Sequence, residues 1–303
     1  VAFTQRREYL FLYTVKDANP NGNPLEENHP RYDEDTQQAM ASDVRIKRTI
    51  RDQWIRKGYK VFIDGEAKSL NTRFEELKKD LGKNDAKEVL RECIDARLFG
   101  ATFPLGKEAF SWTGPVQFKW VRSLHAASFE FVQGTAAFAT ESKTGDKEQR
   151  SFRNEYIVPF ALMAVYGIAN QYASEHTGAS DDDLRAMLEA LWEGTDNLIT
   201  RSKNEHKARL AIEIMYKQGY DGKIGGLDEK VGLFSAKGEA LSGDEQKAIR
   251  SLKQVLVDIG PLVKQIAEKS GDIDKVKVIF DKELSLKGDD ELRRLDFVDI
   301  EMR

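Results

Sequence analysis

The chain has 303 residues, 40% of them hydrophobic and 32% charged. That length can bury a core without disulfides, and the composition excludes a collagen, a disulfide scaffold and a fully disordered chain. Its 47 basic against 51 acidic residues leave a net charge of −4, which argues against a protein that coats nucleic acid everywhere but not against a local basic groove.

Glu8–Lys16 is a β-rich apolar run and reads as a central strand. From Asp17 the chain runs Ala-Asn-Pro-Asn-Gly-Asn-Pro to Pro24, and these turn formers predict a loop reaching about Ala41. Ser42-Asp43 offers an N-cap, and the helix predicted over Val44–Lys57 ends at Gly58. Tyr59–Ile63 reads as a short strand. Residues 66–98 carry two helical stretches split by the segment 81–85, and Arg97–Phe103 leads into a second turn-rich region. Pro115–Ala127 and Ser128–Thr140 read as strands, with the polar segment Glu141–Arg153 as an exposed hairpin. Val158–Ala173 reads as a helix entered through Pro159. Ser180–Ile199 is a helix capped by Ser180 and three successive Asp residues that suit its positive end. Arg209–Tyr216 reads as a strand. A long amphipathic helix (Asp244–Asp258), a Gly-Pro break, a second helix (Leu262–Lys269) and a strand (Val276–Phe280) complete the pattern. There is neither a repeat nor a low-complexity linker, so the order predicts one compact α+β body with appendages.

The longest clean apolar run, around Ile157–Ala164, is far too short to span a bilayer. The first residues carry no apolar core of a signal peptide, and the single cysteine, Cys93, sits in a helical apolar pattern and reads as a small buried hydrophobe. A reducing cytoplasm is expected.

Three segments carry candidate chemistry. The helix from Ser42 to Lys57 holds Arg45, Lys47, Arg48, Arg51, Arg56 and Lys57 against two acids, while Ile46, Ile50 and Trp54 form its buried stripe. Lys47, Arg48 and Arg51 are helix neighbours whose charges repel unless an anion lies between them. A phosphate backbone is one such anion, and acids elsewhere in the fold are the other. The Asn19–Pro24 loop reads as a tight structural turn or as backbone laid against phosphates and sugars, with Gly22 permitting close approach. It is not a calcium loop, since Asn28 stands at the twelfth position and a strand precedes it. The hairpin Glu141–Arg153 offers Lys143, Lys147, Arg150 and Arg153 as an arm toward a neighbouring subunit or strand. The histidines His29, His125, His176 and His206 lack metal-ligand spacing, and no phosphate-loop, dinucleotide or nucleophile-elbow pattern occurs. The Gly-rich run Gly219–Gly226 reads as a plain loop or as backbone contact with a polyanion. Asp33 and Asp35 read as a solvated pair rather than a metal site.

These residues also resemble a known family. The strand Tyr9–Val15 with the Asn-Pro-Asn-Gly-Asn-Pro loop, then Pro30-Arg31-x-Asp33, then Ser-Asp-Val-Arg-Ile-Lys-Arg-Thr-Ile-Arg (42–51), is similar to the Cas-seven backbone subunit of type I CRISPR Cascade complexes, nearest the type I-B (Csh-two-like) branch. Arg97-Leu-Phe-Gly, Thr113-Gly-Pro-Val-Gln and Tyr156-Ile-Val-Pro-Phe continue the likeness, which spans about Arg7 to Ile224. The resemblance implies a modified RRM-like (ferredoxin-like) α+β palm in a single domain, 1–303, with a helical fingers insertion near 60–110 and a β-hairpin thumb near 134–155. It implies a non-catalytic scaffold without a cofactor that polymerises along CRISPR RNA, each thumb kinking the guide, and presents the guide to target DNA. Other copies and Cas-five, Cas-six, Cas-eight and small-subunit types are the implied partners, in a prokaryotic cytoplasm. Asn19, Asn21, Gly22, Arg31, Ser42, Arg45, Lys47, Arg48 and Arg51 match the RNA-facing motifs; Lys143, Arg150 and Arg153 match the thumb by position alone. The implied alternative is a metal-dependent endoribonuclease of type III kind, using Asp33 or a thumb acid. A free guide sequence requires a grip on phosphates and sugars that leaves base edges open.

Overall fold

The computed structural model describes residues 1–104, 109–139 and 150–303, with side chains at 135–139 and 150–153 outside that description. β1 (Arg7–Ala18) is followed by a small pair, β2 (Gly22–Asn23) with β3 (His29–Pro30), and by β4 (Gln38–Ala41). Then come α1 (Asp43–Arg56), α2 (Leu70–Leu81), α3 (Ala86–Arg91) and α4 (Ile94–Phe99), and the antiparallel pair β5 (Gly100–Phe103) and β6 (Phe110–Thr113). β7 (Val116–Phe118), β8 (Val121–Ala126), β9 (Glu130–Ala139) and β10 (Arg150–Ala169) lead to α5 (Gln171–Thr177), α6 (Asp181–Asp196) and β11 (His206–Tyr216). The C-terminal part holds β12 (Gly232–Ser235), α7 (Gly243–Lys247), β13 (Val255–Asp258), α8 (Gly260–Glu268), β14 (Ile273–Phe280), β15 (Leu286–Lys287), α9 (Asp289–Arg293) and β16 (Val298–Met302).

The main sheet runs β16-β14-β11-β1-β10-β8-β4, with β7 and β9 also paired to β10. Alternation along β1 sends Tyr9, Phe11, Tyr13 and Val15 to one face, where α1 and α6 pack through Ile46, Ile50, Trp54, Leu184 and Leu188. Leu10 and Leu12 go to the other face, against β12–β13, α8 and Ile212 and Ile214 of β11. A separate cluster joins α2, α3, β5 and Cys93, around Phe74, Leu77, Val89, Leu90 and Phe103. Its hairpin folds back tightly on α4: a Cβ on Gly114 would lie 2.1 Å from the Phe99 carbonyl carbon, so only glycine fits there.

Most predicted elements are present, and the differences have physical causes. Val158–Ala173 is not a helix; its first twelve residues belong to β10, and α5 starts only at Gln171. Both faces of β10 are buried, Ala161, Met163 and Val165 on one and Phe160, Leu162 and Ala164 on the other. A strand covered on both sides reads as an unbroken apolar run, which periodicity cannot tell from a buried helix. Tyr59–Ile63 is irregular, because the N–H groups of Phe62 and Ile63 donate to the Asp95 carboxylate (2.6 and 3.1 Å) instead of a neighbouring strand. The long helix over Asp244–Asp258 stops after α7, where Ser251 is extended (φ −155°), and Val255–Asp258 pairs with β12. The stretch 66–98 holds three helices, broken a second time at Cys93, which is fully buried with its thiol pushed up to about 12 by that burial. The Gly219–Gly226 loop meets an anion of the chain itself: the N–H groups of Ile224 and Gly225 donate to buried Glu8 at 2.7 and 2.8 Å. Among the described residues no helix is long and apolar enough to cross a membrane.

Candidate nucleic-acid interface

The C-terminal end of β1, the N-terminus of α1 and the loop before β11 converge. Asn19 donates its backbone N–H to Ser202 O (2.8 Å) and its Nδ2 to Asn28 O (2.7 Å). Asn21 Oδ1 accepts both the N–H and the hydroxyl of Ser42 (2.9 and 3.1 Å), while Ser42 Oγ caps the helix by accepting the Arg45 N–H at 3.2 Å. Gly22 lies where a Cβ would sit 3.0 Å from Asn28 O. The predicted turn is therefore stitched to the start of the predicted helix. Together they frame a cavity of about 440 Å³ lined by Asn19, Asn21, Arg45, Ser202 and Lys203, with Glu155 and Tyr156 on the β10 side.

This cavity sets Arg45 and Lys203 against Glu27 and Glu155, and some of its polar atoms are unsatisfied. The largely buried Arg45 binds Thr49 Oγ1 (2.9 Å), and Asp52 stands 4.0 Å away. Burial, then the Arg45 charge, lower Lys203 to about 8, against an opposing pull from Glu155. His206, stacked on Tyr13, is lowered to about 3 by burial and by Lys203 and Arg45. Asn19 Oδ1, Arg31 Nε, Arg45 Nε and both ring nitrogens of His206 are buried without a hydrogen-bond partner among the described residues. Each such group costs roughly 1–3 kcal/mol. Asn19 and Arg45 line the first cavity and Arg31 the second, while His206 is buried close to Arg45 and Lys203, so the unsatisfied groups cluster at this end of the sheet and mark it as a candidate binding region.

A second cavity, of about 730 Å³, adjoins it through Tyr156 and Glu27 and is lined by His29, Arg31, Tyr32, Met40 and Trp120. The His29 ring centre lies 4.6 Å from that of Tyr156 and 5.3 Å from that of Tyr32, tilted by 57° and 55°, and the Arg31 guanidinium lies 6.0 Å from the Trp120 ring. Glu26, Glu27 and Glu34 on its rim repel phosphate. Aromatic side chains beside a pocket that holds Arg45 and Lys203 suit bases beside phosphates, with ring contacts that are indifferent to sequence.

The predicted residues divide. Asn19, Asn21, Gly22, Ser42 and Arg45 meet at the first cavity and Arg31 at the second. The other predicted α1 cations are matched by acids of the chain: Lys47 with Asp43 (3.0 Å), Arg48 with Asp52, and Arg51, 7% exposed, with Asp95 at 2.8 Å, while Arg56 donates to Asn197 O at 2.7 Å. Lys47 and Arg51 also lie over the Phe99 ring. Their mutual repulsion is relieved from within. Lys143 lies outside the described residues; Arg150 and Arg153 begin β10, where their side chains are not described. Asp33 holds its own turn, accepting from Asp35 and Thr36 N–H, and binds Arg122 at 2.6 Å; these bonds lower its carboxyl to about 2. Ser202, Lys203 and His206 escaped the sequence reading, because no spacing links them to the asparagine loop.

The His206 titration gives an expected result. Its imidazole ordinarily titrates at 6.5 and in the fold at about 3, so the unfolded chain binds the proton first. This contribution to the stability of the ligand-free chain should be full above the unfolded value and lost progressively as pH falls toward the folded one. Urea midpoints across that window should drop with acid, and drop less in His206→Gln; identical slopes would exclude a buried neutral imidazole.

A family profile described as CRISPR-associated protein Cas7 matches residues 5–260. A curated relative, "CRISPR-associated protein Cas7" of Haloferax volcanii, is 28% identical over 319 aligned positions, covering 96% of this chain and 91% of that protein. Among solved structures, a chain of a CRISPR RNA-guided surveillance complex (pre-nicking) superposes with TM-score 0.55 at 14% identity, covering 91% of this chain and 92% of that one. A chain of another CRISPR RNA-guided surveillance complex gives 0.52 at 16%, covering 91% and 88%.

Proposed function

This chain belongs to the CRISPR-associated Cas7 family, and on that premise we propose that it is a guide-RNA-binding backbone subunit of a Cascade-type surveillance complex, of the type I-B (Csh-two-like) branch. In this reading the main sheet is an RRM-like palm, residues near 60–110 are the fingers, and residues near 134–155 form a thumb that kinks the guide. Copies line up along one CRISPR RNA, beside Cas-five, Cas-six, Cas-eight and small-subunit types, and present its bases to target DNA. The observation that supports this most is the cavity of Asn19, Arg45 and Lys203, with Arg45 Nε and Asn19 Oδ1 unpartnered, and its adjoining aromatic cluster. Arg45 and Lys203 take phosphates; Asn19 Oδ1 accepts from a sugar hydroxyl, and the Ser202 hydroxyl meets sugar or phosphate oxygens. None of these contacts reads a base edge, so any guide fits.

The test is native mass measurement of the assembly purified from cells making CRISPR RNA, with the bound RNA sequenced. Expected are several copies per RNA, bound without sequence preference. A protein-only mass would overturn the reading. The endoribonuclease alternative is separated by incubating the assembly with complementary RNA and Mg²⁺: intact RNA is expected, and periodic cuts abolished by Asp33→Ala would favour the enzyme.

A further inference from the structure

β1 pairs with β10 from Arg7↔Ala169 at one end to Ala18↔Val158 at the other. The Arg45 cavity lies at the second end. At roughly 3.3 Å per residue, the eleven steps along β1 place its two ends roughly 36 Å apart. α5 follows Ala169 at the first end, and there it forms, with α3 and β6, another groove of about 480 Å³.

The chemistry of this groove is specific. Lys87 and Arg91 lie one turn apart on α3, and Phe110 and Trp112 share one face of β6. Each cation meets a ring: Arg91 Cζ stands 5.8 Å from the ring centre of Trp112, which lines the groove, and Lys87 Nζ 5.6 Å from that of Phe110, which packs against the cluster behind it. Nearby cations are neutralised, Lys60 by Asp80 (3.2 Å), Lys68 by Glu76 (2.8 Å), Lys78 by Glu75 (3.2 Å) and Lys83 by Glu92. Lys87 and Arg91 are exposed and have no ion-pair partner among the described residues. Ser111, Thr113 and His176 add hydrogen-bonding groups, and Glu175 is the acidic side chain in the lining.

We propose that this groove is a second nucleic-acid contact, for a single strand other than the one in the Arg45 cavity, bound without sequence preference. Unpaired cations beside ring planes are what a phosphate chain with splayed bases requires: the cations meet phosphates, and the outer guanidinium and indole planes stack bases. An acidic peptide would satisfy the cations and leave those planes unused. The proposal rests on the guide reading only in taking the Arg45 cavity as the place of the first strand; the cations and rings of the groove carry the rest.

The test uses the assembly as purified, titrated with fluorescein-labelled oligo(dT) or oligo(U) and followed by anisotropy. In Lys87→Gln with Arg91→Gln, affinity is expected to fall roughly tenfold and the log–log salt slope to shrink by about 1.4, for two phosphate contacts on a single strand. The co-purified RNA, read by the 260/280 nm absorbance ratio, should stay unchanged, which separates this site from the Arg45 cavity. Trp112→Ala should weaken binding further and leave the slope alone. The stronger of the two oligonucleotides identifies the strand chemistry. Unchanged affinity and slope would overturn the proposal, as would zero-length cross-links from Lys87 to carboxylates of another polypeptide.

Discussion

Arg45→Ala with Lys203→Ala is expected to strip the assembly of its RNA. Hydrogen bonds to charged groups contribute about 1.5–3 kcal/mol each, roughly ten- to hundredfold in affinity, so losing both amounts to two to four orders of magnitude. The loss should be uniform across guide sequences, and the salt slope of what remains should fall by about 0.7 per lost contact. Both groups already bear the electrostatic cost of their position: burial holds Lys203 at about 8 and leaves Arg45 Nε unpartnered, so a bound phosphate relieves the free protein as well as adding contacts. Lys47→Ala should do much less, because Asp43 already neutralises that ammonium. RNA retention that survives the double change, or fails for one guide alone, would remove this cavity from the function.

Asp95→Ala should act on folding instead. Its carboxylate, 1% exposed, accepts from Arg51 Nε at 2.8 Å and from the N–H groups of Phe62 and Ile63. Removing one partner of a buried pair typically costs about 3–5 kcal/mol, because the other charge is stranded. The irregular stretch around Phe62 also loses its anchor. Chemical denaturation should show a lower midpoint for Asp95→Ala and for Arg51→Ala alike, with the folded fraction of each still carrying RNA. Arg51→Ala that keeps its stability but sheds RNA would instead make Arg51 a phosphate ligand, as the resemblance implies.

The division between these two arginines shows how far the sequence reached. Ser42 as a cap, Gly58 as a stop and the stripe Ile46–Ile50–Trp54 were legible because capping and helical periodicity act within a few residues. The same holds for β1 before its asparagine turn and for the Ser180 capping box. The motif likeness named the family that the profile match then bore out. Local rules could not decide the state of Val158–Ala169, since burial on both faces erases the period that separates strand from helix. Nor could they decide which cations on α1 are free. Arg51 finds its partner 44 residues away, and Arg45 faces Lys203 and His206 across about 160 residues of sequence. Spacing along a helix places a charge on a face; only the packing of distant segments supplies or withholds the opposite charge, and so decides whether a cation holds the fold together or waits for a ligand.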